Sequence, residues 1–349
     1  MRIASVASAF PAHYYAQTTV TRALERAWSG RPEVERLAAL HRNCGVEGRH
    51  FALPLERYFE LDSFGCFNDE WIAAALELGE RAARDALARA GLRPADVDLI
   101  LFSTVTGLAV PSLDARLANR LGFRSDVRRM PLFGLGCVAG AAAVARAADF
   151  VRDRPDGVAL VLTIELCSLT FQKGDLSLAH LISTGLFGDG ATCAVVTGDA
   201  RGADGPRIAG TRSVFYPHTE DAMGWRIGEH GFSLILSPAV PSIAREHLGQ
   251  DVSALLRDHG LEPRDVGFWV CHPGGPKVLA AMRDALGLDD ADLAVSRETL
   301  RTVGNLSSAS VLLILERTLR DRRPAAGTKG VMLAMGPGFC SEILLLEAD

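Results

Sequence analysis

Long apolar runs, paired cysteine motifs and lysine are all scarce in this 349-residue chain. No apolar run reaches the roughly 18 residues of a membrane-spanning helix, so we expect no integral membrane segment. The seven cysteines lack C-x-x-C spacing, which argues against a zinc site or a disulfide framework. Only three lysines stand among the 37 basic residues, and the net charge of −5 gives no basic surplus for binding nucleic acid.

Apolar residues, in contrast, are plentiful and make up 48% of the chain. This fraction supplies a large buried core and excludes a disordered protein. At roughly 150 residues per domain, the length predicts about two domain-sized units. The first residues, MRIASVASAFPAH, indicate a strand rather than a signal peptide. Without an export signal, we expect the protein in the reducing cytoplasm.

A weak internal repeat at an offset near 169 residues organises the chain. The segment ALARAGLRPADVDLILFSTVTG, which begins at Ala86, matches ALLRDHGLEPRDVGFWVCHPGG, which begins at Ala254. In each copy a helix ends at glycine, a proline-containing loop follows, and a buried strand begins. Apolar strands without alternation indicate sheets that are buried on both faces. The repeat therefore predicts two related α/β halves, residues 1–200 and 201–349, packed as a five-layered αβαβα body.

Cys137 is the cysteine whose surroundings suggest chemistry. It follows two closely spaced glycines in GLGCVAGAAA, where an alanine-rich helix is predicted to begin. The dipole and the free N–H groups at a helix N-terminus favour a thiolate. A buried core cysteine explains this segment equally well when it is considered alone.

His272 and Asn305 lie in two further loops that could meet Cys137. His272 opens the loop HPGGP, whose glycines and prolines let a ligand approach the backbone closely. Asn305, in GNLSSAS, would by default cap a helix, but the repeat places it opposite Gly136 across a pseudo-twofold axis. Imidazole could take the thiol proton, and an amide could stabilise an oxyanion. No acidic third residue is evident, which favours a cysteine–histidine ion pair over a serine-type triad.

Taken together, these motifs resemble the type III polyketide synthases, the chalcone-synthase-like enzymes of the thiolase superfamily. The resemblance covers nearly the whole chain and rests on GLGCVAG, LFGDGA, CHPGGP, GNLSSAS and the final MGPGF. It implies a thiolase-like fold, an acyltransferase without a cofactor, and a homodimer in which Val110 reaches into the partner's cavity. Ketoacyl-ACP synthases III share the fold and the Cys/His/Asn set, but HQAN rather than HPGGP is typical around their histidine.

The resemblance also implies a role for each matched residue. Cys137 would be the acyl-accepting nucleophile, while His272 and Asn305 would promote decarboxylation of malonyl-CoA and stabilise the enolate. Phe187 would be one gatekeeper, and the second gatekeeper position holds Leu234 instead of phenylalanine. Further substrate contacts would fall on Cys167, Thr170, Ser307, Gly336, Pro337 and Gly338. Contacts to coenzyme A would fall on Arg36, Gly274, Gly275 and Lys277.

The segment ELCSLTFQKGDLS resembles bacterial alkylresorcinol and alkylpyrone synthases. Its small residues, together with Leu234, would suit an apolar tunnel for a fatty acyl starter. We therefore expect malonyl-CoA or methylmalonyl-CoA to extend a fatty acyl-CoA or acyl-ACP, and the chain to close as an alkylpyrone or alkylresorcinol. A single condensation like that of ketoacyl-ACP synthase III is one alternative. An inactive scaffold or binding subunit is another.

Overall fold

A computed structural model describes all 349 residues as an α/β protein with thirteen strands and eleven helices. The strands are β1 (Arg2–Ala9), β2 (His13–Ala16), β3 (Gly48–Phe51), β4 (Leu99–Thr104), β5 (Arg128–Phe133), β6 (Val158–Leu166), β7 (Asp189–Thr197), β8 (Arg207–Phe215), β9 (Met223–Gly228), β10 (Gly231–Leu236), β11 (Val266–Cys271), β12 (Lys329–Gly336) and β13 (Cys340–Glu347). The helices are α1 (Gln17–Ala27), α2 (Leu37–Asn43), α3 (Arg57–Glu60), α4 (Phe64–Arg89), α5 (Leu113–Leu121), α6 (Ala139–Arg152), α7 (Leu178–Leu186), α8 (Val240–Asp258), α9 (Pro276–Leu286), α10 (Ala294–Val303) and α11 (Ala309–Asp321).

Strands of the N-terminal half form one side of a long sheet, in the order β1-β7-β6-β4-β5. Strands β4, β5 and β6 run parallel, and β7 is antiparallel to both β1 and β6. β6 and β7 are buried along their whole length, as the largely apolar and non-alternating sequence of β6 predicts. The long helix α4 covers the outer face of these strands.

The C-terminal half continues the sheet in the order β11-β12-β13-β8. Its β11 and β12 are parallel, whereas β13 runs antiparallel to both of its neighbours. The two halves join where Arg2 of β1 pairs with Arg207 of β8, which makes one nine-stranded sheet. Helix α8 packs on the outer face of the C-terminal strands, and α9 lies against α8.

Two helices, α6 and α11, fill the space between the halves. Each contacts strands of both halves, and together with these strands they enclose a continuous apolar core. Glycine is required at position 140 of α6, because a Cβ there would lie 2.3 Å from the carbonyl oxygen of Ser308. The resulting order of layers is αβαβα, as the repeat predicts. No helix of this body combines the length and the hydropathy that crossing a bilayer requires.

The repeat itself is visible in the local structure. α4 and α8 are each followed by a left-handed glycine, Gly91 at φ +65° and Gly260 at φ +68°. A short 3-10 turn comes next in each copy, at Pro94–Asp96 and at Pro263–Asp265, and leads into β4 or β11. The shared sequence pattern thus produces the same helix–turn–strand unit in both halves.

Candidate active site

Cys137 lies in a short 3-10 turn that leads directly into α6. The preceding Gly136 has φ +52°, and a Cβ there would lie 2.8 Å from Cδ of Pro337. Gly336 is equally constrained, because its Cβ would come within 2.6 Å of the backbone nitrogen of Val138. The GPG loop at 336–338 therefore packs directly against the turn that carries the thiol.

The side-chain amide of Asn305 has a fixed orientation beside this thiol. Its Oδ1 accepts hydrogen bonds from the Ser307 N–H at 2.8 Å and from the Ser310 hydroxyl at 3.3 Å. Because both neighbours are donors, the amide oxygen must face them and Nδ2–H₂ is left to donate. Nδ2 faces Cys137 as a donor, which partly offsets the burial that raises the pKa of that thiol.

Ser307 also contacts the Cys137 side chain. The Cys137 thiol donates to Oγ of Ser307 across 3.7 Å. Ser307 has φ +46°, a left-handed conformation that is uncommon for a residue with a side chain. Backbone strain of this kind clusters at functional sites, where the surrounding structure maintains it.

His272 follows β11 and is buried beside the end of β12. The backbone N–H of His272 donates to the carbonyl of Leu333 at 2.9 Å, and Leu333 lies three residues before Gly336. The residue is 2% exposed, and no protein atom forms a hydrogen bond with either ring nitrogen. Burial lowers the pKa of His272 to about 3, so the imidazole is neutral.

Burial acts against the thiolate form of Cys137 and against the imidazolium form of His272. It raises the pKa of the Cys137 thiol to about 12, and the nearby carboxyl of Glu165 opposes the thiolate further. Burial by itself therefore opposes each of the two charges in the ion pair that the sequence favours. The physical reason is desolvation, which penalises each charge separately.

One cavity of about 30 Å³ brings together six of the residues selected from the sequence. Its walls include Cys137, Cys167, Phe187, Leu234, Ser307 and Pro337. The β9–β10 hairpin supplies Trp225, which pairs with Leu234 across the two strands and also lines the cavity. Sequence reasoning missed Trp225, which places an aromatic ring beside Leu234.

A second cavity, of about 60 Å³, adjoins the first. Cys167 and Phe187 line both cavities, and Thr170 lines the second. Ten of its sixteen lining residues are hydrophobic. The six others, which are polar, are Arg49, Ser168, Thr170, His180, Ser183 and Thr184.

Glu165 is a buried carboxyl near the thiol that sequence reasoning also missed. It accepts hydrogen bonds from the Ser308 hydroxyl at 2.5 Å, the Thr106 hydroxyl at 3.0 Å and the Val105 N–H at 3.1 Å. Burial raises the pKa of Glu165 to about 7. The available signal was one acidic residue near the end of an otherwise apolar strand, a pattern that indicates a buried and partnered charge.

The LFGDGA motif stabilises the cavity wall through long-range hydrogen bonds. The carboxylate of Asp189 accepts hydrogen bonds from the Ala52 N–H at 2.6 Å and from the Ser168 N–H at 2.8 Å. Phe187 and Asn305 form an isolated bridge between their backbones. The motif thus connects Phe187 both to the Cys167 turn and to the backbone of Asn305.

The remaining selected residues lie outside the two cavities. Gly274 and Gly275 precede the exposed Lys277 at the N-terminus of α9, and Gly275 has φ +142°. Arg36 is exposed at the end of the short 3-10 helix at residues 32–36, away from the thiol. Neither Arg36 nor Lys277 forms an ion pair with a carboxylate of this chain. Val110 is 96% exposed and lines neither cavity.

Both halves of the chain match models of one protein family. Residues 63–200 match the chalcone and stilbene synthase N-terminal domain, and residues 208–348 match the C-terminal domain. A 1,3,6,8-tetrahydroxynaphthalene synthase of Streptomyces peucetius subsp. caesius is 50% identical over 99% of this chain and 92% of its own length. A phloroglucinol synthase of Pseudomonas fluorescens is 31% identical, over 97% of this chain and 96% of its own.

The fold comparison agrees with the sequence comparison. The crystal structure of 1,3,6,8-tetrahydroxynaphthalene synthase from Streptomyces coelicolor A3(2), a bacterial type III polyketide synthase, superposes with a TM-score of 0.95. The two chains are 32% identical, and the match covers 100% of this chain and 99% of the other. The chain therefore belongs to the chalcone and stilbene synthase family and is a type III polyketide synthase with the thiolase-like fold.

Proposed function

We propose that this synthase condenses malonyl-CoA repeatedly on Cys137 and closes the chain to a polyhydroxylated aromatic ring. The observation that carries the proposal is the meeting of Cys137, Ser307 and Phe187 at one cavity, with the Asn305 amide donating toward the thiol. The similar proteins are named for tetrahydroxynaphthalene and phloroglucinol. Both compounds carry hydroxyls in the alternating pattern that malonyl-derived ketide units leave.

In the loading step, sulfur of Cys137 attacks the thioester carbonyl of the incoming acyl-CoA. The thiol proton passes to the neutral imidazole of His272 as the bond forms, so no free thiolate has to exist in this buried site. The tetrahedral intermediate then expels coenzyme A, whose thiolate takes the proton back from His272. The products are an acyl thioester on Cys137 and free coenzyme A.

In the extension step, malonyl-CoA loses carbon dioxide and becomes an enolate thioester. The Nδ2–H₂ group of Asn305 and an imidazole N–H of His272 stabilise the negative enolate oxygen by hydrogen bonding. The enolate carbon attacks the acyl carbonyl on Cys137, the carbon–sulfur bond breaks, and the sulfur leaves as a thiolate that takes a proton from water. The chain, now two carbons longer, is a coenzyme A thioester. Loading this thioester onto Cys137 by the first step allows the next extension. Both donors are neutral, and both are in place before the negative charge develops on the enolate oxygen.

A fatty acyl starter, as expected from the sequence, is the second candidate. The observation that favours it is the hydrophobic part of the second cavity, which includes Val20, Leu24 and Phe51. The product would then be an alkylpyrone or alkylresorcinol, with malonyl-CoA or methylmalonyl-CoA as extender and acyl-CoA or acyl-ACP as donor of the starter.

Mass spectrometry of the products separates these candidates. The purified protein is given malonyl-CoA alone, and then malonyl-CoA with acyl-CoA starters from acetyl to palmitoyl. An aromatic product from malonyl-CoA alone supports the first candidate, whereas a product that requires and retains a fatty acyl chain supports the second. Products extended by a single ketide unit would contradict iterative condensation altogether.

We assign contacts with coenzyme A to Lys277, Gly274 and Gly275, with Arg36 as a further cation. Lys277 is exposed at the start of α9, where N–H groups and the helix dipole favour phosphate.

Lys277→Ala is expected to raise KM for malonyl-CoA about three- to tenfold with kcat nearly unchanged, since an exposed charge pair contributes little. Lys329→Ala is the matched control, because that lysine pairs with Glu347. Equal KM values for the two variants would disprove the contact.

We further propose that the enzyme is a homodimer joined at the exposed edge strand β5 and the loop that carries Val110. This edge exposes Met130 at 41%, Phe133 at 50% and Val110 at 96%, an arrangement that a monomer would normally avoid.

Val110→Asp is expected to convert dimer to monomer in size-exclusion chromatography with light scattering. Leu178→Asp, at an exposed leucine on α7, should leave the dimer intact. A monomeric parent protein would rule the interface out.

A further inference from the structure

His180, on α7, is a buried histidine outside the catalytic set. Its side chain is 4% exposed, and the residue lines the second cavity. The ring stacks on Phe171 with centroids 5.7 Å apart, and it meets the edge of Trp28 at 6.2 Å. These two aromatic contacts hold the imidazole in one plane against the cavity wall.

The two ring nitrogens of His180 have different surroundings. Nδ1 lies 4.0 Å from the carboxylate of Asp175 and faces the carbonyl of Gln172, so it is the nitrogen that carries the hydrogen. Burial lowers the pKa of His180, so the ring is neutral and Nε2 keeps its lone pair. Nε2 is buried, and no protein donor forms a hydrogen bond with it. Such an acceptor is costly to bury and is rare in native proteins.

Neighbouring groups on the same cavity indicate the chemistry of the missing partner. The hydroxyls of Ser183 and Thr184 donate to the carbonyls of their own helix, at 2.7 Å and 2.9 Å. The Nε–H of Arg49 is buried and has no acceptor in the protein. The cavity wall thus contains one unpaired acceptor and one unpaired donor. A β-keto-enol chain carries the complementary pair, an enol hydroxyl and a keto oxygen.

We propose that Nε2 of His180 accepts a hydrogen bond from an enol or phenol hydroxyl of the polyketide chain held in the second cavity. The inference rests on the proposed function for the class of substrate. It makes His180 a specificity-determining residue, because the methyl end of a fatty acyl chain has no hydrogen to donate. The hydrophobic walls hold the body of the chain, and His180 recognises its oxygenated end.

Binding of a small diol tests the contact without turnover. The affinity of the protein for 1,3-dihydroxynaphthalene and for its dimethyl ether is measured by titration calorimetry. We expect the diol to bind about tenfold more tightly than the ether, and His180→Phe to remove most of that preference. His180→Gln, which keeps an acceptor oxygen, should restore part of it. An unchanged diol-to-ether ratio in His180→Phe would overturn the proposal, and the ratio cancels any general loss of affinity.

Turnover of malonyl-CoA supplies the second readout. His180→Phe should shift products toward shorter lactones, and His180→Gln should shift them less. Equal shifts in both variants would show that His180 only packs against its aromatic neighbours, contrary to the proposal. If the parent protein makes no aromatic product, the proposed function fails, and the diol-to-ether ratio still decides the role of His180.

Discussion

Replacement of Cys137 by alanine is expected to abolish acyl loading and to reduce polyketide formation by about 10³-fold or more. The Cys137 thiol is the only one that donates to Ser307, and it is the thiol toward which the amide of Asn305 donates. No neighbouring hydroxyl has the reactivity of a thiol whose proton a nearby imidazole can take. Loading is measured by the intact mass of the protein after incubation with an acyl-CoA.

Cys167→Ala is the matched control for that substitution. Both cysteines are buried and line the same cavity, but Cys167 forms no hydrogen bond with Asn305 or Ser307. The Cys167 variant should therefore load an acyl group at a rate close to that of the parent, even where its product profile changes. Full-length polyketide from the Cys137 variant, or loss of loading in both variants, would contradict the assignment of the nucleophile.

Local motifs and the repeat were enough to select Cys137 and Asn305 as candidates, because the chain itself forces a special conformation around each of them. Gly136 and Gly336 tolerate no side chain where the Cys137 turn and the GPG loop pack together. The two α/β halves follow from apolar strands and from glycine-terminated helices, which are properties of short segments. The αβαβα order then follows, because α6 and α11 are apolar enough to be buried between the halves.

Other parts of the site depend on distant contacts that no short segment reveals. Glu165 accepts a hydrogen bond from Ser308, which is 143 positions away in the sequence. The second cavity forms where α7 meets residues near the N-terminus. Trp225 reaches the thiol cavity only because the β9–β10 hairpin folds over it. The protonation of Cys137 and His272 could not be predicted either, since desolvation depends on how deeply the finished fold buries each group.

Asn305→Asp is expected to slow malonyl-CoA decarboxylation by about 10²- to 10³-fold, which is the usual cost of losing one oxyanion donor. The aspartate has nearly the same shape and can accept the same hydrogen bonds from Ser307 and Ser310. It lacks the N–H₂ donor, and its negative charge repels the developing enolate. The substitution therefore isolates the electrostatic role from the structural one.

Decarboxylation is measured by release of carbon dioxide from malonyl-CoA, and loading of Cys137 by intact mass. Asn305→Asp should retain most loading, because His272 still takes the thiol proton. His272→Ala should lower both loading and decarboxylation, because the imidazole serves each step. Ser310→Ala removes the longer of the two hydrogen bonds to Oδ1 of Asn305, together with the bond from the Leu306 N–H to the Ser310 hydroxyl, and should cost less than about tenfold.

The pattern across these three variants decides the mechanism. Decarboxylation that survives Asn305→Asp would show that the amide does not stabilise the enolate, whatever happens to loading. Loading that survives His272→Ala would show that another group takes the thiol proton. The buried carboxyl of Glu165, whose pKa is raised to about 7, is one alternative acceptor near the thiol. A loss confined to decarboxylation in Asn305→Asp, and shared by both steps in His272→Ala, is the result that the proposed roles of the amide and the imidazole require.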